Sequence, residues 1–163
     1  MDNDIEIIRT ASPLGTLQLT FAGGALTSLR LTEDVPDRSG TDRSPEAELA
    51  LRELAEYFAG TRRDFTIPLA PAGTRFRQQV WAALRRIPYG EARTYGEVAR
   101  TIGKPGAMRA VGGACHANPI PVVIPCHRVV AANGPGGFGS GLEVKRRLLA
   151  LETGDDTPFC FEW

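Results

Sequence analysis

Ile5-Glu6-Ile7-Ile8-Arg9-Thr10 and Gly15-Thr16-Leu17-Gln18-Leu19-Thr20-Phe21 alternate apolar with polar positions on either side of Ser12-Pro13-Leu14-Gly15. A two-residue period bounded by turn residues predicts a β-hairpin. Gly23-Gly24 turns the chain again, and Leu26-Thr27-Ser28-Leu29-Arg30-Leu31 predicts a third strand. Residues 32–44 are polar, hold Pro36 and Gly40, and read as a loop. Ser44-Pro45-Glu46 then has the form of a helix start, with a capping hydroxyl, proline at the first helical position and an early acid. Leu49, Leu51, Leu54, Tyr57 and Phe58 supply an apolar face, and Gly60 stops the helix. Nothing up to residue 65 assembles a site, so this part reads as structural.

Two prolines and a glycine between Thr66 and Gly73 mark a boundary, dividing the chain into residues 1–70 and 71–163. A helix is predicted from Thr74 to Arg86, burying Phe76, Val80, Trp81 and Leu84. Ile87-Pro88-Tyr89-Gly90 is a turn. Thr94 caps a helix from Tyr95 to Ile102, Gly103 ends it, and a further helix stops by Ala117, because Asn118 precedes Pro119. Two short helices joined by a glycine-containing turn predict a helix-turn-helix. The second, Gly106 to Cys115, has few long polar side chains to reach base edges. Ala110, Gly112, Gly113 and Ala114 permit close approach to a groove wall with Arg109 as the one long probe, or equally close packing against neighbouring helices. Val122-Val123-Ile124, β-branched and fenced by prolines, reads as a buried strand. The last helix, Leu142 to Thr153, is expected to turn Lys145, Arg146 and Arg147 outward and Leu148, Leu149 and Leu151 inward. It ends on Glu152, an acid that opposes the helix dipole and so requires a specific partner. The architecture is α+β: a three-stranded antiparallel sheet plus helix, then a mainly helical part.

Composition adds little. At 42% hydrophobic and 23% charged the chain is ordinary for a globular protein. No run approaches the roughly 18 apolar residues of a membrane span, and the acidic start Met1-Asp2-Asn3-Asp4 is unlike a secretory signal. Cys115, Cys126 and Cys160 make an odd number with no disulfide framework. The expectation is a cytoplasmic protein with reduced thiols. Without a CxxC pair, and with the two histidines at 116 and 127, no metal site is expected.

Charge changes the picture more. The net charge is zero, yet residues 1–72 hold 7 Lys/Arg against 12 Asp/Glu, while residues 73–154 hold 12 against 4. A basic half on an acidic half suggests a surface for a polyanion confined to the second part.

The candidate chemistry lies at Asn118-Pro119 and Pro125-Cys126-His127-Arg128-Val129-Val130. A buried cysteine is commonly just a small hydrophobe. Here two cations follow it directly, and either favours the thiolate. Activating a thiol takes a base and a group that orients the base, and Cys126, His127 and Glu152 supply the three types. Because His127 is adjacent in sequence, direct contact with the Cys126 sulfur is strained, and a bridging water would relieve it. The glycine-rich stretch 131–141 lacks phosphate-loop spacing but can present backbone N–H groups at close range.

This signature resembles that of the O6-alkylguanine-DNA alkyltransferases (methylated-DNA–protein-cysteine methyltransferases). The resemblance runs from about Gly73 to Gly154 and includes Ile87-Pro88-Tyr89-Gly90-Glu91, Thr94-Tyr95-Gly96-Glu97-Val98-Ala99, Arg109-Ala110-Val111-Gly112-Gly113 and Lys145-Arg146-Arg147-Leu148-Leu149. It implies an N-terminal ribonuclease-H-like domain, which in some relatives carries a zinc but here has neither Cys nor His to hold one, and a C-terminal domain that binds duplex DNA through the minor groove. It implies direct-reversal repair: one irreversible transfer of an alkyl group from O6-alkylguanine, flipped out of the duplex, to the Cys126 thiolate, with no cofactor. Glu152 is then expected to hold His127 as an imidazolium, and Asn118 to tie the active-site turn to the recognition helix. Tyr95 would rotate the nucleotide out, bind the base and give up a proton. Arg109 would fill the space left, beside Ala110 and Gly113. The implied base pocket is Val129, Phe138, Gly139 and Ser140: the Val129 N–H and Cys126 carbonyl hold the base edge, and the Gly139 N–H faces the alkylated oxygen. The glycine loop is one residue shorter than the family's, just before Gly136, and Phe138 stands where tyrosine is usual, which bears on the alkyl groups accepted. The expected partner is DNA, not a membrane, and the expected state is a monomer, with cooperative binding along DNA left open. Residues after Gly154 read as a tail in which Cys160 is incidental. Two rivals remain: a module that flags the lesion without reacting, and a cysteine hydrolase that turns over.

Overall fold

The computed structural model describes residues 4–38 and 42–154, so the expectations for the tail and its Cys160 lie outside the described residues. The chain forms two compact units, Met1–Ala72 and Gly73–Trp163.

In the first unit, β1 (Ile5–Ser12), β2 (Gly15–Ala22) and β3 (Ala25–Thr32) make an antiparallel sheet in the order β1-β2-β3. Ile8, Leu19 and Leu29 lie in one cross-strand row, and all are buried. Ile5 and Ile7 face solvent instead, and Glu6 between them accepts hydrogen bonds from the Ser44 backbone and hydroxyl. That carboxylate fixes the residue which caps α1 (Pro45–Phe58), where the Ser44 hydroxyl accepts from the Ala47 N–H. The face that α1 buries is narrower than expected. Ala47, Ala50, Leu54 and Tyr57 go into the core, whereas Leu49, Leu51 and Phe58 are half-buried. Small alanines let the helix close on the sheet along a 3–4-residue stripe. Glu53 is also buried, accepting from the Thr66 N–H and hydroxyl at 2.8 Å and pairing with Arg62 at 2.9 Å. Residues 68–70 return alongside β3 through Leu26.

The second unit carries α2 (Arg75–Leu84), β4 (Arg93–Thr94), α3 (Tyr95–Thr101), α4 (Met108–His116), β5 (Val129–Val130) and α5 (Leu142–Thr153). Thr74 caps α2, which buries Val80, Trp81, Ala83 and Leu84. Phe76 is only half-buried, with the Lys104 ammonium 5.1 Å over its ring. Trp81 donates its indole N–H to the Ala114 carbonyl at 2.8 Å, locking α2 to α4. Gly73 gives that indole room, since a Cβ there would meet the ring at 2.4 Å. Thr94 and Glu97 form a reciprocal capping box at the start of α3.

Two expectations are overturned. Val122-Val123-Ile124 is buried but is not a strand. Asn118 folds it into a closed turn, its side chain accepting from the Ile120 N–H and donating to the Ile124 carbonyl, both at 2.9 Å, while the Ile124 N–H bonds the Ile120 carbonyl. Val122 thereby takes φ 74°, the one non-glycine at positive φ among the described residues. For a β-branched residue this costs about 1–3 kcal/mol and persists only where the surroundings enforce it. Lys145 likewise does not face outward. It is 1% exposed, with Nζ donating to the Val129 carbonyl at 2.6 Å and the Gly137 carbonyl at 3.1 Å. On α5 it shares the inner face with Leu148, Leu149 and Glu152, whereas Leu151 is half-buried. Two carbonyls make burial of an ammonium tolerable.

Candidate active site

The strand pair β4–β5 brings the chemistry together. Arg93 and Thr94 pair in parallel with Val129 and Val130. Tyr95 directly follows one strand, and Cys126 lies three residues before the other. Between Pro125 and β5 the chain makes one 3-10 turn, Cys126–Arg128, all of it buried. The Asn118 backbone N–H bonds the Cys115 carbonyl at 3.2 Å near the end of α4, and its side chain favours the Cys126 thiolate. One residue, through backbone and side chain, thus ties helix, turn and thiol.

A cavity of about 320 Å³ is lined by Tyr95, Gly112, Cys115, His116, Cys126, Gly137 and Phe138. Of the expected pocket residues only Phe138 lines it. Gly139 is exposed and Ser140 half-buried. The loop meets Tyr95 earlier, at Gly136 and Gly137. A Cβ on Gly136, at φ +72°, would lie 2.5 Å from the Tyr95 hydroxyl, and the Gly137 backbone favours the ionised form of that hydroxyl. The Val129 N–H donates to the Cys126 carbonyl, closing the 3-10 turn, and the Val129 carbonyl is held by Lys145. The two groups expected to hold a base edge are therefore bonded to each other. Arg109, Ala110, Gly113 and His116 are exposed on α4, while Val111 and Ala114 face its core side.

Behind the cavity lies a buried ionic cluster. His127 is 0% exposed, and its Nε2 is 2.6 Å from Glu152 Oε2. Arg128 forks onto the same carboxylate, Nε to Oε1 at 2.8 Å and Nη2 to Oε2 at 3.0 Å, and sends Nη1 to the Ile87 carbonyl at 2.7 Å. The Gly90 N–H completes the set at 3.2 Å. The partner that Glu152 required is thus double. His127 Nδ1 has no hydrogen-bond partner among the described residues.

The electrostatics correct one expectation. Burial pushes the Cys126 thiol up to about 11, only partly offset by the Asn118 hydrogen bond and the Lys145 charge. Burial likewise pulls His127 below its ordinary value, against the opposing pull of Glu152. Burial alone would raise Glu152, but the hydrogen bonds and charges of His127 and then Arg128 hold it well below the carboxylate range. Burial therefore favours neutral imidazole and thiol in the resting site over imidazolium and thiolate. Burial also lowers Lys145 to about 8 and raises Cys115 to about 12 and Tyr95 above its usual value, for Tyr95 with Cys115 as the next cause. A sulfur with a latent base beside it and an ammonium nearby can become a nucleophile once a substrate fills the cavity. Sequence reasoning missed Lys145, Cys115, His116 and Gly137 as neighbours of Cys126. A basic residue one turn before the inward pair Leu148-Leu149 was the available signal for Lys145.

Two family descriptions match the chain: the ribonuclease-like domain of 6-O-methylguanine DNA methyltransferase over residues 8–71, and its DNA binding domain over residues 75–154. A methylated-DNA–protein-cysteine methyltransferase of Mycolicibacterium paratuberculosis is 47% identical over 152 residues, covering 91% of this chain and 92% of its own. The constitutive enzyme of that name in Bacillus subtilis is 43% identical over 150 residues, covering 86% and 91%. Among solved structures, the Mycobacterium tuberculosis O6-methylguanine methyltransferase superposes with a TM-score of 0.82 at 42% identity, covering 96% of this chain and 98% of that one. The Mycobacterium tuberculosis OGT in complex with DNA gives 0.80 at 43%, covering 93% and 95%. The α+β architecture of small sheet domain and helical domain is shared with these structures. With both parts of the family's sequence present and the cysteine-bearing cavity in the matched DNA-binding part, the chain belongs to the 6-O-methylguanine DNA methyltransferase family, whose members repair methylated DNA by moving the methyl group to one of their own cysteines.

Proposed function

We propose that this protein repairs O6-alkylguanine by taking the alkyl group onto Cys126, once per molecule, from a nucleotide flipped out of duplex DNA. The observation that carries the reading is the cavity with Cys126 and Tyr95 in its wall, bounded by α4, the second helix of the helix-turn-helix. Residues 1–70 serve as scaffold, and residues 71–163 bind DNA and react. The exposed strip of Ala110 and Gly113 with Arg109 beside it suits close approach to a groove of limited readout, with affinity coming from backbone and charge. Arg109 fills the gap left by the flipped nucleotide.

In the reaction His127 takes the Cys126 proton, relayed by a bridging water, and Glu152 steadies the imidazolium that forms. The Lys145 charge favours the thiolate. The sulfur then attacks the alkyl carbon in line. The S–C bond forms as the C–O6 bond breaks, the electron pair leaves on guanine, Tyr95 gives guanine a proton, and the proton held by His127 replaces it on the Tyr95 oxygen, so that the net transfer is from Cys126 to guanine. Phe138 limits the cavity and hence the alkyl groups that fit. The product is a thioether that no nearby group hydrolyses, so the protein acts stoichiometrically, in the cytoplasm and without a cofactor.

The test is mass spectrometry of intact protein and peptides after mixing with excess duplex holding one O6-methylguanine. One added methyl on the Cys126 peptide, absent in Cys126→Ala, is expected. An unmodified protein that still shifts the damaged duplex would leave a lesion-binding module, and repeated turnover on esters would leave a hydrolase.

A further inference from the structure

Arg128 stands next to the reactive pair in sequence yet is not part of the cavity wall. Its guanidinium is buried, forks onto both oxygens of Glu152, and lies 5.7 Å from the centre of the Tyr89 ring. A carboxylate answered by a bidentate arginine already has its charge neutralised in place. The remaining bond to Glu152 Oε2 is then satisfied by the His127 Nε2–H of a neutral imidazole, which fixes the tautomer and leaves the Nδ1 lone pair open.

The groups facing His127 make the same point. From α5 come Glu152 and Lys145, and from its own turn comes Arg128, against which Tyr89 of the turn after α2 is stacked. The charged side chains of α2 itself, Arg75 and Arg77, are exposed. A protonated His127 would put three buried cations against one carboxylate. A neutral one leaves a single surplus positive charge, at Lys145, and that is the charge a Cys126 thiolate can answer.

We infer that Arg128 is a positioning residue for alkyl transfer: by holding the charge of Glu152 it keeps His127 an uncharged base acting through Nδ1, so that the proton leaves Cys126 only when substrate is in place. This rests on the reading of Cys126 as the alkyl acceptor, but its first test does not. In the native, DNA-free protein the imidazole nitrogen shifts of His127 should show an Nε2–H tautomer at pH 7 and remain so well below pH 6.5. The chain has two histidines, and a His116→Gln variant assigns the signals. In Arg128→Gln, which keeps an amide donor and loses the charge, the His127 midpoint should move up by about one unit or more. The acid limb of single-turnover methyl transfer from duplex O6-methylguanine should move up with it. Arg128→Lys, which restores a cation without the fork, should return both most of the way. An imidazolium at pH 7 in the native protein overturns the inference. So does an Arg128→Gln protein that takes up methyl with the native midpoint and a merely lower plateau, the pattern of a purely structural arginine. A native protein with the expected tautomer that accepts no methyl at any pH would instead sink the alkyl-transfer reading.

Discussion

Each unit buries a glutamate, and the surroundings of the two separate scaffold from reaction site. Glu53 is held by the Thr66 N–H and hydroxyl and by Arg62, whose side chain is 26% exposed. It staples the chain that leaves α1, and its counter-ion stays in contact with water. Glu152 is held by His127, Arg128 and the Gly90 N–H, with both counter-groups buried. The first carboxylate fixes backbone. The second fixes a titratable ring beside a thiol. Burial of charge is common to both, but only where the partner can exchange a proton does it become chemistry.

That contrast is breakable by mutation. The largest effect is expected from Glu152→Ala, which strands Arg128 in the interior and should lower unfolding free energy by about 3–5 kcal/mol in urea titration. Glu53→Ala lets Arg62 relax into solvent and should cost about 1–2 kcal/mol, chiefly from the unmet Thr66 donors. Equal losses would erase the distinction. Glu152→Gln keeps the shape and should slow methyl transfer about 100-fold in single-turnover kinetics, whereas Glu53→Gln should leave the rate alone. Gly136→Ala, which drives a methyl group into Tyr95 from a left-handed backbone, should slow transfer about tenfold, with a loss of about 1–2 kcal/mol of stability. Gly23→Ala in the first unit meets open space and should cost only about 1 kcal/mol with no change in rate. The smallest signal is chemical. With the Cys126 thiol near 11, about 0.1% is ionised at pH 8, so iodoacetamide should label the resting protein far more slowly than a free cysteine peptide.

Stability should also fall with acid. His127 is depressed below its unfolded value, so its contribution is present above about pH 6.5 and is lost as pH falls further. Glu152, depressed likewise, adds a second loss below about pH 4.5. Melting temperature followed from pH 7.5 to 4 should decline over both windows, and Arg128→Gln should flatten the upper one.

The three-stranded sheet and the five helices, the helix-turn-helix pair among them, were legible because their signals are local. Ser44 and Thr94 cap as read, Thr74 caps where a helix start was read, and Gly60, Gly103 and Gly154 lie at helix ends with positive φ. The misreadings came where side-chain bonds to backbone groups overrode a residue's intrinsic preference. Val122-Val123-Ile124 has the composition of a strand, yet the Asn118 amide satisfies its backbone and bends it into a turn. Lys145 has the chemistry of a surface residue, yet a β5 carbonyl and a loop carbonyl draw it inside.

From residues alone the sequence determined that there is a cysteine with cations behind it, a helix pair beside it and a basic half to carry both. Only the tertiary structure decided the protonation state. A pKa depends on burial and on which charges share the space, and no linear spacing tells that Arg128 answers Glu152 while Lys145 turns inward to face the thiol.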